Sequence, residues 1–302
     1  MQRLEDLIQQ HPDAANAIGA PGRDWMTYGD LKGLTQKVRN TLRGAGIGAS
    51  DRVAIVLPNG PEMATAFVTV AQSATTAPLN PAYKEEEFAF YLEDLQARAI
   101  FVEAGYDGPA RAAADRFDMT VIELTATQPA GNFTLSTDVK GSAPETEPTP
   151  DDVALILHTS GTTSRPKIVP LLQSNITASA QNVATSLSLT ADDVCLNVMP
   201  LFHIHGLIAA VSGSLAAGGS ISCAPGFDAL KFYGWLQEVH PTWYTAVPTM
   251  HQAILARAPR NAEIIEKARL RFLRSSSSSL PGPVMTQLAD TFGAPVVEAY
   301  GM

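Results

Sequence analysis

An α/β architecture with mainly parallel sheets, covered on both faces, is predicted from two features of the chain. Short runs that are apolar throughout, such as Val53-Ala54-Ile55-Val56-Leu57, Ala99-Ile100-Phe101-Val102 and Val153-Ala154-Leu155-Ile156-Leu157, read as strands buried on both sides. Between them lie stretches with apolar residues at helical spacing, so strand and helix alternate from one end to the other. In sheets of this kind ligands collect where strand carboxyl ends meet loops.

Leu4, Leu7 and Ile8 predict a brief amphipathic helix that ends at His11-Pro12. A second helix runs from Tyr28 through Leu31, Leu34, Val38 and Leu42, and Gly44-Ala45-Gly46 ends it. The strand at 51–57 closes on Pro58-Asn59-Gly60, and a helix beginning near Pro61 carries Met63, Phe67 and Val70. A helix over 85–95, the strand at 99–102 and a strand at 119–124 follow. From Thr125 to Pro150 the composition turns to Thr, Pro, Gly and Glu, which reads as a surface connector. The strand at 153–157 leads into a loop, and a helix is expected between Leu171 and Leu189. Further strands are expected at 194–198, 220–223, 242–247, 270–273 and 295–298, with helices over 230–239, 248–258 and 284–292 between them.

The chain has 302 residues, 45% hydrophobic and 17% charged, enough for one large domain or two ordinary ones. A formal net charge of -9 opposes nucleic acid and anionic lipid, so neither nucleic-acid nor membrane partners are expected. Two cysteines, Cys195 and Cys223, in apolar surroundings predict inert core thiols and no disulfide framework. The first residues carry acids and no apolar core of a signal peptide, and the apolar run from Leu207 to Ala224 is broken by Gly213, Gly218 and Gly219. A soluble, cytoplasmic protein is expected.

The stretch His158-Thr159-Ser160-Gly161-Thr162-Thr163-Ser164-Arg165-Pro166-Lys167 offers hydroxyls, bare backbone and a cation directly after an apolar strand. Strand, small hydroxyl-rich loop, lysine and helix form an arrangement that holds phosphate oxygens, although G-x-x-x-x-G-K-[ST] is absent. A surface connector is the alternative. Two other loops follow apolar strands, Arg274 to Ser279 and Ala299 to Met302; if the strands are parallel neighbours, all three loops share one edge and one cleft. The serines at 275–279 fit either a low-complexity linker or a tight turn that a flat ligand can approach. His203 and His205 lack a carboxylate or third histidine nearby, so contact with substrate is favoured over a metal, and no metal ligands are assigned. His158 and His251 read most simply as satisfied helix or core histidines, and Trp243-Tyr244 as core.

Thr159 to Lys167 resembles the phosphate loop of the adenylate-forming enzymes, which include acyl-CoA synthetases and peptide-synthetase adenylation domains. Pro200-Leu201-Phe202-His203 resembles the next motif of that family, Arg274 to Leu280 its adenine-side loop, and Glu298-Ala299-Tyr300-Gly301-Met302 the start of its Y-G-M-T-E motif. Ser164 stands where the family usually has glycine. With Phe202-His203-Ile204-His205-Gly206, Trp243 to Thr249 and Arg274-Ser275, that variant is similar to the oxalate–CoA ligase branch.

The resemblance implies two doubly wound, mainly parallel subdomains, one over about 59–193 and one over about 1–58 plus 194–302. It implies a ligase that joins a carboxylate to the α-phosphate of ATP and then passes the acyl group to coenzyme A, with Mg²⁺ bridging phosphate oxygens. By carry-over Thr159, Ser160, Gly161, Thr162, Thr163 and Lys167 would hold phosphates. Ser276, Ser277, Ser278, Glu298, Ala299, Tyr300 and Gly301 would surround the adenine, and His203 would act at the acyl pocket. A small dicarboxylate such as oxalate would bury a second charge, for which His205, His251, Ser276 and Ser277 are the polar groups in reach. The family's metal-binding Glu, ribose-binding Asp and C-terminal domain with its catalytic Lys would follow Met302, so the chain reads as a truncated ligase, inactive alone. A peroxisomal address would lie there too. An aryl- or fatty-acyl-CoA ligase and a catalytically silent nucleotide-binding module are the competing readings.

Overall fold

A computed structural model describes residues 3–159 and 166–300. Its strands are β1 Asn16–Ala20, β2 Arg23–Thr27, β3 Arg52–Ile55, β4 Thr75–Pro78, β5 Ala99–Glu103, β6 Thr120–Ala126, β7 Phe133–Ser136, β8 Val153–His158, β9 Ile168–Leu172, β10 Val194–Asn197, β11 Ser220–Cys223, β12 Trp243–Ala246, β13 Phe272–Ser276 and β14 Val296–Ala299. They form two seven-stranded sheets. One has the order β7-β6-β5-β3-β4-β8-β9, the other β14-β13-β12-β10-β11-β1-β2. Pairing is parallel within each sheet and antiparallel at the β6–β7, β8–β9 and β1–β2 edges.

Side chains alternate across every central strand, and the alternation sorts them into layers. Val53 and Ile55 of β3 and Phe101 of β5 face a core that both sheets share, together with Ile18, Cys195, Ile221 and Trp243 of the other sheet. Ala54, Ile100 and Val102 face the opposite way, under the helices Glu85–Leu95 and Pro109–Asp115. In the second sheet Leu196, Tyr244, Ala246 and Leu273 face outward, beneath the helices Phe232–Val239, Pro248–Leu255 and Gly282–Phe292. The layers therefore run helices, sheet, shared interior, sheet, helices.

The helix Pro61–Ala71 is the centre of that shared interior. Apart from half-covered Glu62 every one of its residues is buried, which is why it reads as apolar on all sides and not as amphipathic. Burying Phe67 alone contributes about 2–3 kcal/mol. Glu62 pairs with Arg23 of β2 at 2.7 Å, tying the two sheets at the helix start. The helix Tyr28–Gly44 begins with a capping box in which Thr27 Oγ1 accepts from the Asp30 amide at 3.1 Å and the Thr27 amide donates to Asp30 Oδ2 at 3.0 Å.

Several elements differ from expectation. The β1–β2 hairpin is absent from the sequence reading, although Pro21-Gly22 is a good turn pair and Gly22 has φ +76°. Phe133–Ser136, inside the expected connector, pairs with β6. β3, placed by sequence with residues 1–58 in the second subdomain, pairs with β4 and β5, so residues 52–58 go with the first sheet. Between the hydroxyl-rich loop and the helix Gln173–Ser186 lies β9, which pairs antiparallel with β8. The expected strand-loop-helix unit is therefore a hairpin followed by a helix, and that helix N-terminus does not open at the loop. Pro170 is tolerated because β9 is an edge strand.

Candidate functional site

The inner face of the second sheet changes character towards its carboxyl end. Cys195, Trp243 and Phe272 stand side by side on β10, β12 and β13 and pack into the shared core. Two residues further on, in the same register, stand Asn197, Thr245 and Arg274. Strand alternation alone puts this polar row on the face of the apolar one. All three are buried, and Arg274 is only 7% exposed.

A π-helix over His205–Ser212 covers the row. The segment Met199 to Ile204 feeds it, and Gly206 permits the approach, since a Cβ there would collide with the Pro200 carbonyl oxygen. π-turns recur at functional sites because they re-aim side chains within a helix. Here the first residue, His205, lands on the polar row. Its Nε2 lies 2.6 Å from Thr245 Oγ1 and 2.9 Å from Arg274 Nη1, and its Nδ1 lies 3.0 Å from Ser277 Oγ.

A guanidinium only donates, so Nε2 must be an acceptor and the proton sits on Nδ1, donated to Ser277. Thr245 accepts from Arg274 at 3.3 Å and donates to Nε2. Burial, and then the neighbouring Arg274 charge, push the His205 pKa down to about 3, so the ring is neutral throughout the physiological range. Burial also lowers the pKa of Arg274, which has no carboxylate within ion-pair distance among the described residues. Ser277 has φ +75°, a left-handed conformation that is strained for a non-glycine residue and typical of functional loops.

His205 and Ser277 line a cavity of about 600 Å³. Its other walls are Met199, Pro200, Phe202 and His203 on one side and Tyr83, Tyr91, Leu157, His158 and Thr159 on the other. The cavity thus spans from the end of β8 in one sheet to the ends of β10, β12 and β13 in the other. The three loops do not share one sheet edge. Two follow the neighbouring strands β13 and β14, and the third joins β8 to β9 across the cleft.

The expected phosphate loop is closed at its base by the Thr159 amide donating to the Lys167 carbonyl at 3.0 Å and the Lys167 amide donating to Thr159 Oγ1 at 3.1 Å. Both residues are exposed. Ser160, Gly161, Thr162 and Thr163 lie outside the described residues, as does Gly301. His158, just before the loop, sits 3.2 Å from Asp94 Oδ2 and edge-on to Tyr91 at 4.6 Å. Burial lowers its pKa although Asp94 opposes the shift.

The remaining expected residues separate. His203 lies exposed at the cavity rim with its pKa lowered by partial burial. His251 does not reach the cavity. It is fully buried, accepts from the Tyr244 hydroxyl at Nδ1 (3.2 Å) and donates from Nε2 to the Arg274 carbonyl at 3.3 Å, so both ring nitrogens are used. Ser276 turns away from the acyl side and donates to the Ala299 carbonyl at 3.2 Å, tying β13 to β14. Ser278 is exposed beyond the strand end. Glu298 accepts from the Leu280 amide at 2.7 Å, which fixes the turn after Ser277. Tyr300 is 94% exposed. Of the three expected serines, only Ser277 lines the cavity.

Sequence reading missed Thr245, Arg274, Tyr83, Tyr91 and Asp94 as site residues. A usable signal existed for two of them: V-C-L-N, W-Y-T-A and F-L-R-S each run apolar and then place a polar residue at the fourth or third position of a strand. Tyr83 and Tyr91, stacked at 4.8 Å, come from a turn and a helix with no motif of their own. Among the described residues no cluster of three or more His, Cys, Asp or Glu could hold a metal ion, and no helix is long and apolar enough to cross a membrane.

Comparison with known proteins agrees with this geometry. Residues 4–302 match the family model described as AMP-binding enzyme. An oxalate–CoA ligase of Arabidopsis thaliana is 40% identical over 307 residues, covering 99% of this chain and 59% of the relative. An oxalate–CoA ligase of Saccharomyces cerevisiae is 37% identical over 282 residues, covering 83% of this chain and 50% of the relative. The crystal structure of ATP-bound MatB from Rhodopseudomonas palustris superposes with a TM-score of 0.83 at 26% identity, covering 99% of this chain and 59% of that one. The chain thus spans between half and three-fifths of the length of these relatives. With a family model matching almost its whole length, two parallel sheets meeting at one cleft and the motif order intact along it, the chain belongs to the AMP-binding enzyme family.

Proposed function

We propose that the protein is an AMP-forming carboxylate–CoA ligase acting on a small acid of the oxalate type, and that this chain supplies its nucleotide and acyl-binding surfaces. The observation that carries the reading is the cavity bounded on one side by Thr159, at the base of the hydroxyl-rich loop, and on the other by His203, His205 and Ser277. An acid held on the second side faces phosphates held on the first.

The reaction proceeds in two displacements. A carboxylate oxygen attacks the α-phosphorus of ATP, forming an acyl–phosphate bond as the bond to pyrophosphate breaks. The thiol sulfur of coenzyme A then attacks the acyl carbon, AMP leaves, and the thiol proton passes to solvent or a base. Both partners of the first step are anions, so the protein must offset charge where it accumulates. Thr159 to Thr163 and Lys167 would do this at the β- and γ-phosphates, and Mg²⁺ arriving with the nucleotide would supply further charge neutralisation there. Ser276 to Ser278 and Glu298 to Gly301 form the adenine side, where the roles differ in kind. Glu298 and Ser276 hold backbone, whereas Ser277 and Tyr300 are free to meet ligand. His203 at the rim is positioned to contact the acyl group or guard its entry, and partial burial lowers its pKa, favouring the neutral ring. A neutral imidazole accepts or donates a hydrogen bond without repelling a cationic partner.

The oxalate preference rests on the likeness to the oxalate–CoA ligases and on the polar pair His205 and Ser277 in the cavity wall. His205 and Ser277 supply polar groups there for a second carboxylate, beside apolar lining from Ile204, Val247 and Met250. The test is ATP–pyrophosphate exchange by the full-length protein with oxalate, benzoate and octanoate. Exchange with oxalate at micromolar to millimolar KM, abolished by Lys167→Ala, is the expected result. Exchange driven by octanoate or benzoate and not by oxalate sinks the substrate assignment, and exchange with no acid sinks the ligase reading.

A further inference from the structure

We propose that Arg274 is the counter-charge for the second carboxylate of the acid substrate, held in reach by His205, Thr245 and Ser277, so that the site selects short, doubly charged acids. This rests on the ligase reading above and adds the residue that sets its substrate class.

The first support is an unbalanced charge. Arg274 is 7% exposed, yet the described residues place no carboxylate within 4 Å of it. Arg39, for comparison, meets Glu5 at 3.2 Å and Glu147 at 3.0 Å. A buried guanidinium without an anion is costly, and proteins keep such a group where a ligand completes it. Among the described residues its hydrogen bonds run from Nη1, to His205 and Thr245. The fork geometry of Nη2 and Nε has no protein partner among the described residues, and that fork matches a carboxylate in two-point contact.

The second support is location. Arg274 touches His205, and His205 touches Ser277; the latter two line the cavity, and Arg274 lies directly behind His205. The backbone of Arg274 is itself clamped, its carbonyl accepting from His251 Nε2 at 3.3 Å. The other basic groups there do not compete for the role. His205 is neutral with its lone pair already occupied, His203 sits at the rim, and Lys167 belongs to the hydroxyl-rich loop on the opposite wall. In a two-carbon diacid the carboxylates share one C–C bond. One can face the phosphate side while the other turns to Arg274, whereas a longer chain would carry its second charge past it.

The experiment uses the full-length protein and carboxylate-dependent ATP–pyrophosphate exchange with oxalate and with glyoxylate and glycolate, which have its size but one charge. Wild type should favour oxalate. Arg274→Met, which keeps the length and removes the charge, should raise the oxalate KM roughly 100-fold while moving the KM for the single-charge acids by less than about 3-fold. Arg274→Lys, retaining a point charge without the fork, should recover part of the oxalate preference. Thermal unfolding supplies a readout independent of turnover: oxalate should raise the Tm of wild type and leave that of Arg274→Met unchanged. The ligand-free Tm of Arg274→Met should match or exceed wild type, because an unpaired buried charge is gone. Equal losses for all three acids in both variants, or a ligand-free Tm that collapses in both, would make Arg274 a structural residue and overturn the proposal. Exchange with single-charge acids but no preference for oxalate in wild type overturns it while leaving the ligase reading intact. Exchange with no acid removes both.

Discussion

The two sheets present comparable inner faces to the shared core and end them differently. In the first sheet the inner face is apolar through the buried middle of three strands: Val53 then Ile55 on β3, Ala99 then Phe101 on β5 before exposed Glu103, Ile122 then Leu124 on β6. In the second it begins the same way and ends on Asn197, Thr245 and Arg274. Burial is equal in both rows, so depth does not separate them. What separates them is whether the buried groups are satisfied by the protein. Phe101 needs only neighbours, whereas Arg274 has a charge that the fold leaves uncompensated. One row stabilises the domain, and the other stores an unmet interaction beside a cavity.

The largest effect that tests this contrast lies on the apolar side. Phe101→Ala removes a fully buried ring from the inner face of the first sheet and should lower unfolding free energy by about 3–5 kcal/mol. Urea denaturation measures it. The loss should be the same with and without ATP and oxalate, because Phe101 touches no part of the cavity. A loss that ligand restores would mean that the two inner faces are coupled and that the contrast drawn here is too sharp.

The same contrast explains what could be read from sequence. Uniformly apolar strands such as Val53 to Leu57 announce themselves, because burial on both faces leaves no polar position. Hence the α/β class and the positions of the central strands along the chain were legible. The edges were not. β2, β7 and β9 mix polar and apolar residues, being half-exposed, and their pairing depends on partners far along the chain. β9 mattered most, since overlooking it turned a hairpin loop into a helix-capped one. At the site, motifs contiguous in sequence were visible, and His203, His205 and Ser277, named from them, line the cavity. Arg274 was quoted only as a mark of resemblance. Its meaning comes from β12 and the π-helix, which bring Thr245 and His205 from 29 and 69 residues away. His251, read as a satisfied core histidine and also as a polar group in reach of the acid, keeps only the first role, because its ring turns inward to Tyr244.

Acid should expose the buried histidines next. The His251 pKa is pushed down to about 4, chiefly by burial, from an ordinary value of 6.5. The folded form therefore binds fewer protons than the unfolded one below about pH 6.5. The stability His251 contributes is complete above that pH and is lost as pH falls towards 4, by up to about 3 kcal/mol on the scale of 1.36 kcal/mol per pKa unit. His205, with a pKa of about 3, extends the same trend to lower pH. Urea midpoints between pH 7 and 4.5 check this, with His251→Gln as the control, whose slope over that interval should be shallower. Parallel slopes for the two proteins would show that His251 does not titrate on unfolding.

The smallest effect concerns the residue where the two kinds of wall meet. Ser277 combines a strained backbone at φ +75° with a hydroxyl that receives the His205 proton. Replacing it separates the two terms. Ser277→Gly relieves the left-handed strain and loses the hydroxyl, contributions of opposite sign and each about 1 kcal/mol, so the Tm should stay close to wild type. Ser277→Ala keeps the strain and loses the hydroxyl, so it should be the less stable of the pair by about 1 kcal/mol. Both leave the His205 Nδ1 proton without its partner, whereas Nε2 remains fixed by Arg274 and Thr245. The imidazole should therefore keep its tautomer in both variants, readable from its ¹⁵N shifts, because a guanidinium beside Nε2 offers that nitrogen only hydrogens. A change of tautomer in Ser277→Gly would place control of the ring at the loop instead of at Arg274, and would weaken the case that the polar row organises the cavity.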